Sequence, residues 1–328
     1  MRLATVGTSF ITDHFIQAVQ KEGSFELTTI FSRSPDKAKV LADKYKVPFI
    51  QSDWKALLQD PNLEVIYIAT PNDTHYGLAK DVLEAKKHVI LEKPFTSHRR
   101  ELESLLKIAK ANDRYVFDAI IPMHLPNFKA LKDALPLVGS MRMANLSMVQ
   151  RSSRYASLEA GEEPAIFSLA HSGGALMDLG VYPTSLLVGL FGKPQDVNYV
   201  AQKYTNGIDV SGVLTFTYPG FVAAAVVAKD STGINFMTFS GDKGHLLIDK
   251  APSLISSILF VEKDKSTELG TQQDPASMVY EIKDFYEVIT QHDDARYTQW
   301  MDVTRTVFEV MDKCREKANL VFAADGEN

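Results

Sequence analysis

Over the first 120 residues, short apolar runs alternate with stretches of helical spacing, and this alternation limits the fold more than any single motif does. Residues 2–7 form an apolar run that ends in glycine, and Phe15, Ile16 and Val19 then recur on one side of 12–20. Residues 27–31 are β-branched and apolar, and 36–45 return to helical spacing with Ala38, Leu41 and Ala42 inward. The run 65–69 is the most strand-like, and Thr70-Pro71-Asn72-Asp73 breaks it. A helix over 75–85, a strand over 88–91, a helix over 100–111 and a strand over 115–119 follow. Strands separated by single helices and short connections predict a mostly parallel sheet covered on both faces. Right-handed crossovers make it a doubly wound, Rossmann-like domain.

Past about residue 140 the pattern changes. Residues 141–150, 213–218, 221–228, 234–240, 244–248 and 255–261 read as strands, joined by tight turns such as Tyr218-Pro219-Gly220. That predicts a large open, mostly antiparallel sheet, followed by helices over 277–291 and 298–317. The expected fold class is α/β, with a dinucleotide-binding domain over 1–121 and an α/β domain for substrate binding and oligomerisation over 122–328.

Bulk properties exclude several classes. With 328 residues the chain is long enough for two cores, and 45% apolar and 23% charged residues are ordinary for a globular protein. A net charge of −6 gives no basic field for nucleic acid or anionic membrane. Cys314 is the single cysteine, which allows no internal disulfide and fits a reducing cytoplasm. No apolar run approaches bilayer length, so the expected setting is cytoplasmic. No metal ligands are assigned.

A dinucleotide-binding turn needs glycine where backbone approaches pyrophosphate, and a helix N-terminus behind it. The turn here reads Gly7-Thr8-Ser9-Phe10-Ile11-Thr12. Only the first glycine of the usual G-x-G-x-x-G is present; Ser9 and Thr12 hold the other two places. The same residues also read as an ordinary capped strand-to-helix turn. The second strand ends in Ser32-Arg33, where an NAD site commonly carries an acid for the ribose hydroxyls. Arg33 pairs instead with a 2′-phosphate, with Ser32 as a second donor, which favours NADP over NAD. The alternative for Arg33 is a solvated surface side chain.

Two further segments carry the chemistry. Glu92-Lys93-Pro94 closes a strand of the first sheet, where C-terminal strand ends line the ligand crevice. X-Pro bonds in tight turns adopt cis readily, and Lys93-Pro94 is expected to do so. Gly173-Gly174-Ala175-Leu176-Met177-Asp178-Leu179-Gly180-Val181-Tyr182-Pro183 brings a carboxylate and a phenol four residues apart, on one helix face. Pro183 argues for a helix start or kink there. Taken singly, Lys93 reads as half of a Glu-Lys pair and Tyr182 as a packed aromatic.

In combination and order, these segments resemble the Gfo/Idh/MocA family, and the resemblance extends over essentially the whole chain. It includes Gly7, Thr70-Pro71-Asn72 with His75, Glu92-Lys93-Pro94, and Gly173-Gly174 followed by Asp178 and Tyr182. It implies a Rossmann domain followed by an open-sheet α/β domain. It also implies a catalytic centre of Lys93, Asp178 and Tyr182. Tyrosine at the last place, where many members have histidine, is similar to the glucose-fructose oxidoreductase and dimeric dihydrodiol dehydrogenase branch. Thr70, Pro71, Asn72, His75, Glu92 and Lys93 join 7–11, Ser32 and Arg33 as expected cofactor-binding residues. His171 and His124 receive no role.

The expected activity is hydride transfer between nicotinamide and a carbonyl or hydroxyl carbon of a carbohydrate-like small molecule. Tyr182 is the proton donor or acceptor and Lys93 assists. A cofactor-sensing regulator and an NAD-dependent glycosidase are alternatives on the same fold; retention of all three groups favours the enzyme. In 221–228 both alternating sets are apolar, so one sheet face is expected to be covered by a second copy in a homodimer or higher homo-oligomer.

Overall fold

The computed structural model describes residues 1–326 and divides into two compact units. The first comprises Met1–Ala119 and Asp274–Met301. It runs β1 (Arg2–Val6), α1 (Phe10–Glu22), β2 (Glu26–Phe31), α2 (Pro35–Tyr45), β3 (Phe49–Gln51), α3 (Trp54–Gln59), β4 (Val65–Ile68), α4 (His75–Glu84), β5 (His88–Glu92), α5 (Arg99–Ala111) and β6 (Val116–Ala119). The six strands are parallel in the order β3-β2-β1-β4-β5-β6. This is the doubly wound order that places ligands at the carboxyl ends of the strands, where the order reverses beside β1. All of β4 is buried, as a central parallel strand covered on both faces requires.

The second unit comprises Ile120–Gln273 and the chain from Asp302 onward. Its elements are α6 (Pro126–Ala134), β7 (Met141–Val149), α7 (Tyr155–Glu159), α8 (Val181–Phe191), β8 (Asp196–Lys203), β9 (Asp209–Tyr218), β10 (Phe221–Ala228), β11 (Phe236–Gly241), β12 (His245–Ile248), β13 (Leu259–Glu262) and β14 (Lys265–Glu268). A π-helical turn, Leu176–Gly180, leads into α8. The sheet order is β14-β13-β12-β11-β7-β10-β9-β8. It is antiparallel except at its centre, where β10 pairs with β7 in parallel. The chain between those two strands is long enough for such a crossover.

Two helices close the description. α9 (Met278–Gln291) belongs to the first unit, and α10 (Asp294–Lys317) is divided between the two after Met301. The sequence reading put 274–301 with the second domain. The aromatic contacts explain its place: Phe285 of α9 stacks on Phe117 at 4.6 Å, and Tyr286 meets Phe25 edge-on at 5.3 Å. Periodicity shows that a helix has an apolar face, not which core that face joins. Among the described residues, no helix is long and apolar enough to cross a membrane.

One face of the second sheet is buried and the other is not. Tyr199, Leu214, Ala225, Leu146, Met237 and Ile248 make one cross-strand row, all at most 3% exposed. On the other face Val200, Val213 and Val226 pair across three strands and are exposed, as are the paired Val222 and Met143.

Candidate active site

In the first unit the residues expected to bind cofactor gather at strand ends. Gly7 follows β1 with φ +112°, and a Cβ there would lie 2.2 Å from the Ala69 carbonyl oxygen. Only glycine fits, so backbone is left bare beside the N-terminus of α1. Ser9 caps that helix in extended geometry, and its side chain makes no capping bond. Thr12, in the third glycine place, is buried, with its hydroxyl 3.5 Å from that of Ser9. Phe10 is exposed and Thr8 and Ile11 are half-buried. Ser32 and exposed Arg33 follow β2. A bare glycine turn at a helix N-terminus and an arginine past β2 fit a dinucleotide with a phosphorylated ribose.

A second cluster ties two loops of this unit together. His75, buried at the start of α4, faces the Pro94 carbonyl oxygen with Nδ1 at 3.1 Å and that of Thr70 with Nε2 at 3.0 Å. Burial pushes its imidazole below the ordinary value despite these carbonyls. Thr70 and Thr74 hydroxyls lie 2.7 Å apart around Pro71 and Asn72. Lys93-Pro94 is cis, as expected. The Glu92 carboxylate turns inward, accepting from Tyr67 Oη at 2.6 Å and the Lys93 N–H at 3.2 Å. Lys93 itself is half-buried.

In the second unit the glycine pair has a local cause. A Cβ on Gly173 would lie 2.6 Å from the Ile166 carbonyl oxygen. One on Gly174, at φ +102°, would lie 1.9 Å from Asp209 Oδ1. The π-helical turn starts against that same carboxylate, whose Oδ2 accepts the Leu176 N–H at 2.6 Å and the Tyr199 hydroxyl at 2.7 Å. Burial holds the Asp209 carboxyl above its ordinary value. The turn then passes into α8, with Val181 in ordinary helical geometry, so Pro183 marks a π-to-α change and not a helix start. Asp178 lies in the turn and Tyr182 in the first turn of α8; both are half-buried. Asp178 is ion-paired with Lys229, the residue after β10. His171 is half-buried in the loop before the glycines and His124 half-buried in a 3₁₀ turn.

Two family models match the chain: "Oxidoreductase family, NAD-binding Rossmann fold" over residues 1–119 and "GFO/IDH/MocA C-terminal domain" over 136–247. The chain belongs to the Gfo/Idh/MocA oxidoreductase family. It is 31% identical to the uncharacterized oxidoreductase YgjR of Escherichia coli (strain K12) over 326 residues, 99% of this chain and 98% of that one. It is 30% identical to the scyllo-inositol 2-dehydrogenase (NADP(+)) IolU of Bacillus subtilis (strain 168), with 99% of each chain covered. A 3-ketoreductase from Actinomadura kijaniata, KijD10, solved with NADP and TDP-benzene, shares the fold with a TM-score of 0.85 at 21% identity, over 97% of each chain. As a Gfo/Idh/MocA member, this chain is an NAD(P)-dependent dehydrogenase with a Rossmann cofactor domain.

Within this Gfo/Idh/MocA member, sequence reasoning named the Gly7 turn, the Glu92-Lys93-Pro94 loop and the Asp178–Tyr182 helix as site segments. It did not name Lys229, Asp209 and Tyr199, which bond to that helix or to the carboxylate beneath it. For Lys229 a signal existed: an eight-residue apolar strand, 221–228, runs without a polar break into a lysine. Nothing local marked Asp209, whose partners lie 10 and 33 residues away.

Proposed function

We propose that the chain is an NADP(H)-preferring oxidoreductase that interconverts hydroxyl and carbonyl on a cyclic polyol, sugar or dihydrodiol-like substrate. The observation that carries this reading is the pairing of Asp178 and Tyr182 across the π-to-α junction, one turn apart on a single helix. Relatives acting on an inositol and on a dihydrobenzene diol support the substrate class.

When bound, the nicotinamide accepts or supplies the hydride at C4. The Gly7 turn and the α1 N-terminus would hold the pyrophosphate, and Arg33 with Ser32 the 2′-phosphate. The loops around Thr70-Pro71-Asn72 and Glu92-Lys93 would flank the cofactor, with His75 joining those loops. Tyr182 moves the proton at the substrate oxygen. Phenols ordinarily ionise near pH ~10, so a phenolate at neutral pH needs a positive charge, the part the family resemblance gives Lys93. Asp178 accepts a hydrogen bond from a substrate hydroxyl and orients it. The NADP preference is supported by Arg33 standing where an acid would serve NAD.

The open face of the second sheet supports a homodimer. Its exposed valine rows would leave a large apolar patch in water, and pairing two such faces is isologous.

The test is absorbance of the reduced nicotinamide with NADP(H) and NAD(H) against inositols, aldoses, ketoses, a trans-dihydrodiol and dicarbonyls. Turnover with an alicyclic or sugar hydroxyl is expected. Tight NAD that survives gel filtration without net turnover would point to the glycosidase chemistry instead. Cofactor binding with no turnover across the panel would point to a sensor.

A further inference from the structure

We infer that Lys229 is a positioning residue for this reaction: its ammonium holds the Asp178 carboxylate charged and in one orientation beside Tyr182. The inference rests on the reading above for the role of Asp178 and adds a residue to it.

The geometry is specific to the second unit. Lys229 stands where β10 ends, and its backbone is held on both sides. Its N–H donates to the Val210 carbonyl at 2.8 Å, and its own carbonyl accepts the Ser152 N–H at 2.8 Å. Its side chain is 5% exposed and that of Asp178 20%. Lysine is seldom so buried unless it is paired, because an isolated ammonium out of water is strongly unfavourable. Nζ bonds Asp178 Oδ2 and also lies 5.6 Å from the Phe167 ring centroid, a position that favours a cation. A clamped backbone, an aromatic surface and one carboxylate oxygen leave the ammonium little freedom. The carboxylate it holds inherits that rigidity.

Lys229 also acts on Asp209 through its charge: Asp209 Oδ2 is bonded to Leu176 and Tyr199, while its buried Oδ1 makes no hydrogen bond. Asp230 bonds the Ser211 hydroxyl at 3.1 Å, and Arg151 pairs with Glu159 at 2.9 Å. The direct bond of Lys229 is to Asp178, which on the reading above is the group that meets substrate. An ionised carboxylate is an acceptor only, whereas a protonated one also donates. Keeping Asp178 charged and fixed makes it select substrates that present a hydroxyl donor there. Losing Lys229 removes the positive charge bonded to a partly buried carboxylate, so Asp178 takes up a proton at higher pH or turns toward water.

The deciding experiment compares wild type, Lys229→Met and Lys229→Arg, all labelled with ¹³C at aspartate carboxyls. The Asp178 signal is identified by its loss in Asp178→Asn. In Lys229→Met it is expected to titrate at least ~1 pH unit higher than in wild type, and Lys229→Arg restores most of the difference. On any panel substrate that turns over, Lys229→Met is expected to lower kcat about 10²-fold while NADP affinity holds. Asp178→Asn with Lys229→Met should lose little beyond Asp178→Asn alone. If Lys229→Met does not fold, the converse is read with Lys229 intact: its ammonium protons exchange slowly in wild type and fast in Asp178→Asn. An Asp178 signal unmoved by Lys229→Met, or ammonium exchange unmoved by Asp178→Asn, overturns the proposal. Absence of turnover by wild type overturns the function instead, since both NMR readouts are independent of turnover.

Discussion

At Glu281 a carboxyl lies fully buried near the carboxylates of Glu92, Asp118 and Asp284, and burial first, then their repulsion, pushes it well above its ordinary 4.5. Neither of its oxygens has a hydrogen-bond partner. Below pH 4.5 the folded and unfolded forms are both protonated, and the residue is neutral to stability. As pH rises from 4.5 toward the raised folded value, the unfolded chain ionises freely while the folded one resists, so stability falls until the folded group also ionises. Glu281→Gln removes that loss. It should raise Tm by a few degrees at about pH 8 and by much less at about pH 4; an equal shift at both would exclude the linkage. Lys93→Met and Tyr182→Phe should each lower kcat by at least ~10²-fold with Tm unchanged. The double variant should lose little more than the worse single one, as groups acting in one step do. Near-normal turnover in Tyr182→Phe would remove it as the proton carrier. Arg33→Asp should move the NADP/NAD ratio of kcat/KM toward NAD by about tenfold or more, and a wild type that already favours NAD would sink the Arg33 argument.

Among the elements, the π-helical turn at Leu176–Gly180 shows how sequence and tertiary context divide the work. The spacing of Asp178 and Tyr182 was legible as a shared helix face. Pro183 was legible as a disturbance of that helix. That the disturbance is a π turn seated on the Asp209 carboxylate was not, because Asp209 acts from another strand. Gly174→Ala tests this seat: the added Cβ meets Asp209 at a left-handed φ, and the loss should be at least ~1–3 kcal/mol in urea unfolding. An unchanged midpoint would mean the turn does not depend on that contact. The parallel sheet of the first unit was readable throughout its long strands, since strands buried on both faces are continuously apolar. The short edge strand β3, with its exposed Phe49 and Ile50, lacks that signature. β8 was missed although it alternates, with Val197 and Tyr199 inward among polar residues. α8 is apolar nearly all round, so it carries no helical period to detect. The parallel pairing of β7 with β10 follows from the path of the chain, which periodicity does not encode.

For the whole molecule, the exposed valine rows make a concrete demand on assembly. Light scattering at micromolar concentration should give a homodimer of the 36.5 kDa chain, and Val213→Glu with Val226→Glu should give monomer with the fold retained. A wild-type monomer would overturn the covered-face reading. A different consequence follows from α9 joining the first unit across a long insertion. During synthesis at ~5–20 residues per second, the nascent first unit waits on the order of ten seconds for residues 274–301 to emerge. Through that interval Phe117 and Phe25 lack the rings of Phe285 and Tyr286 that later cover them. The ribosome-bound intermediate is thus expected to bind chaperones that recognise exposed apolar surface until residue 301 emerges. A gene truncated after Ala119 would make that sticky intermediate permanent.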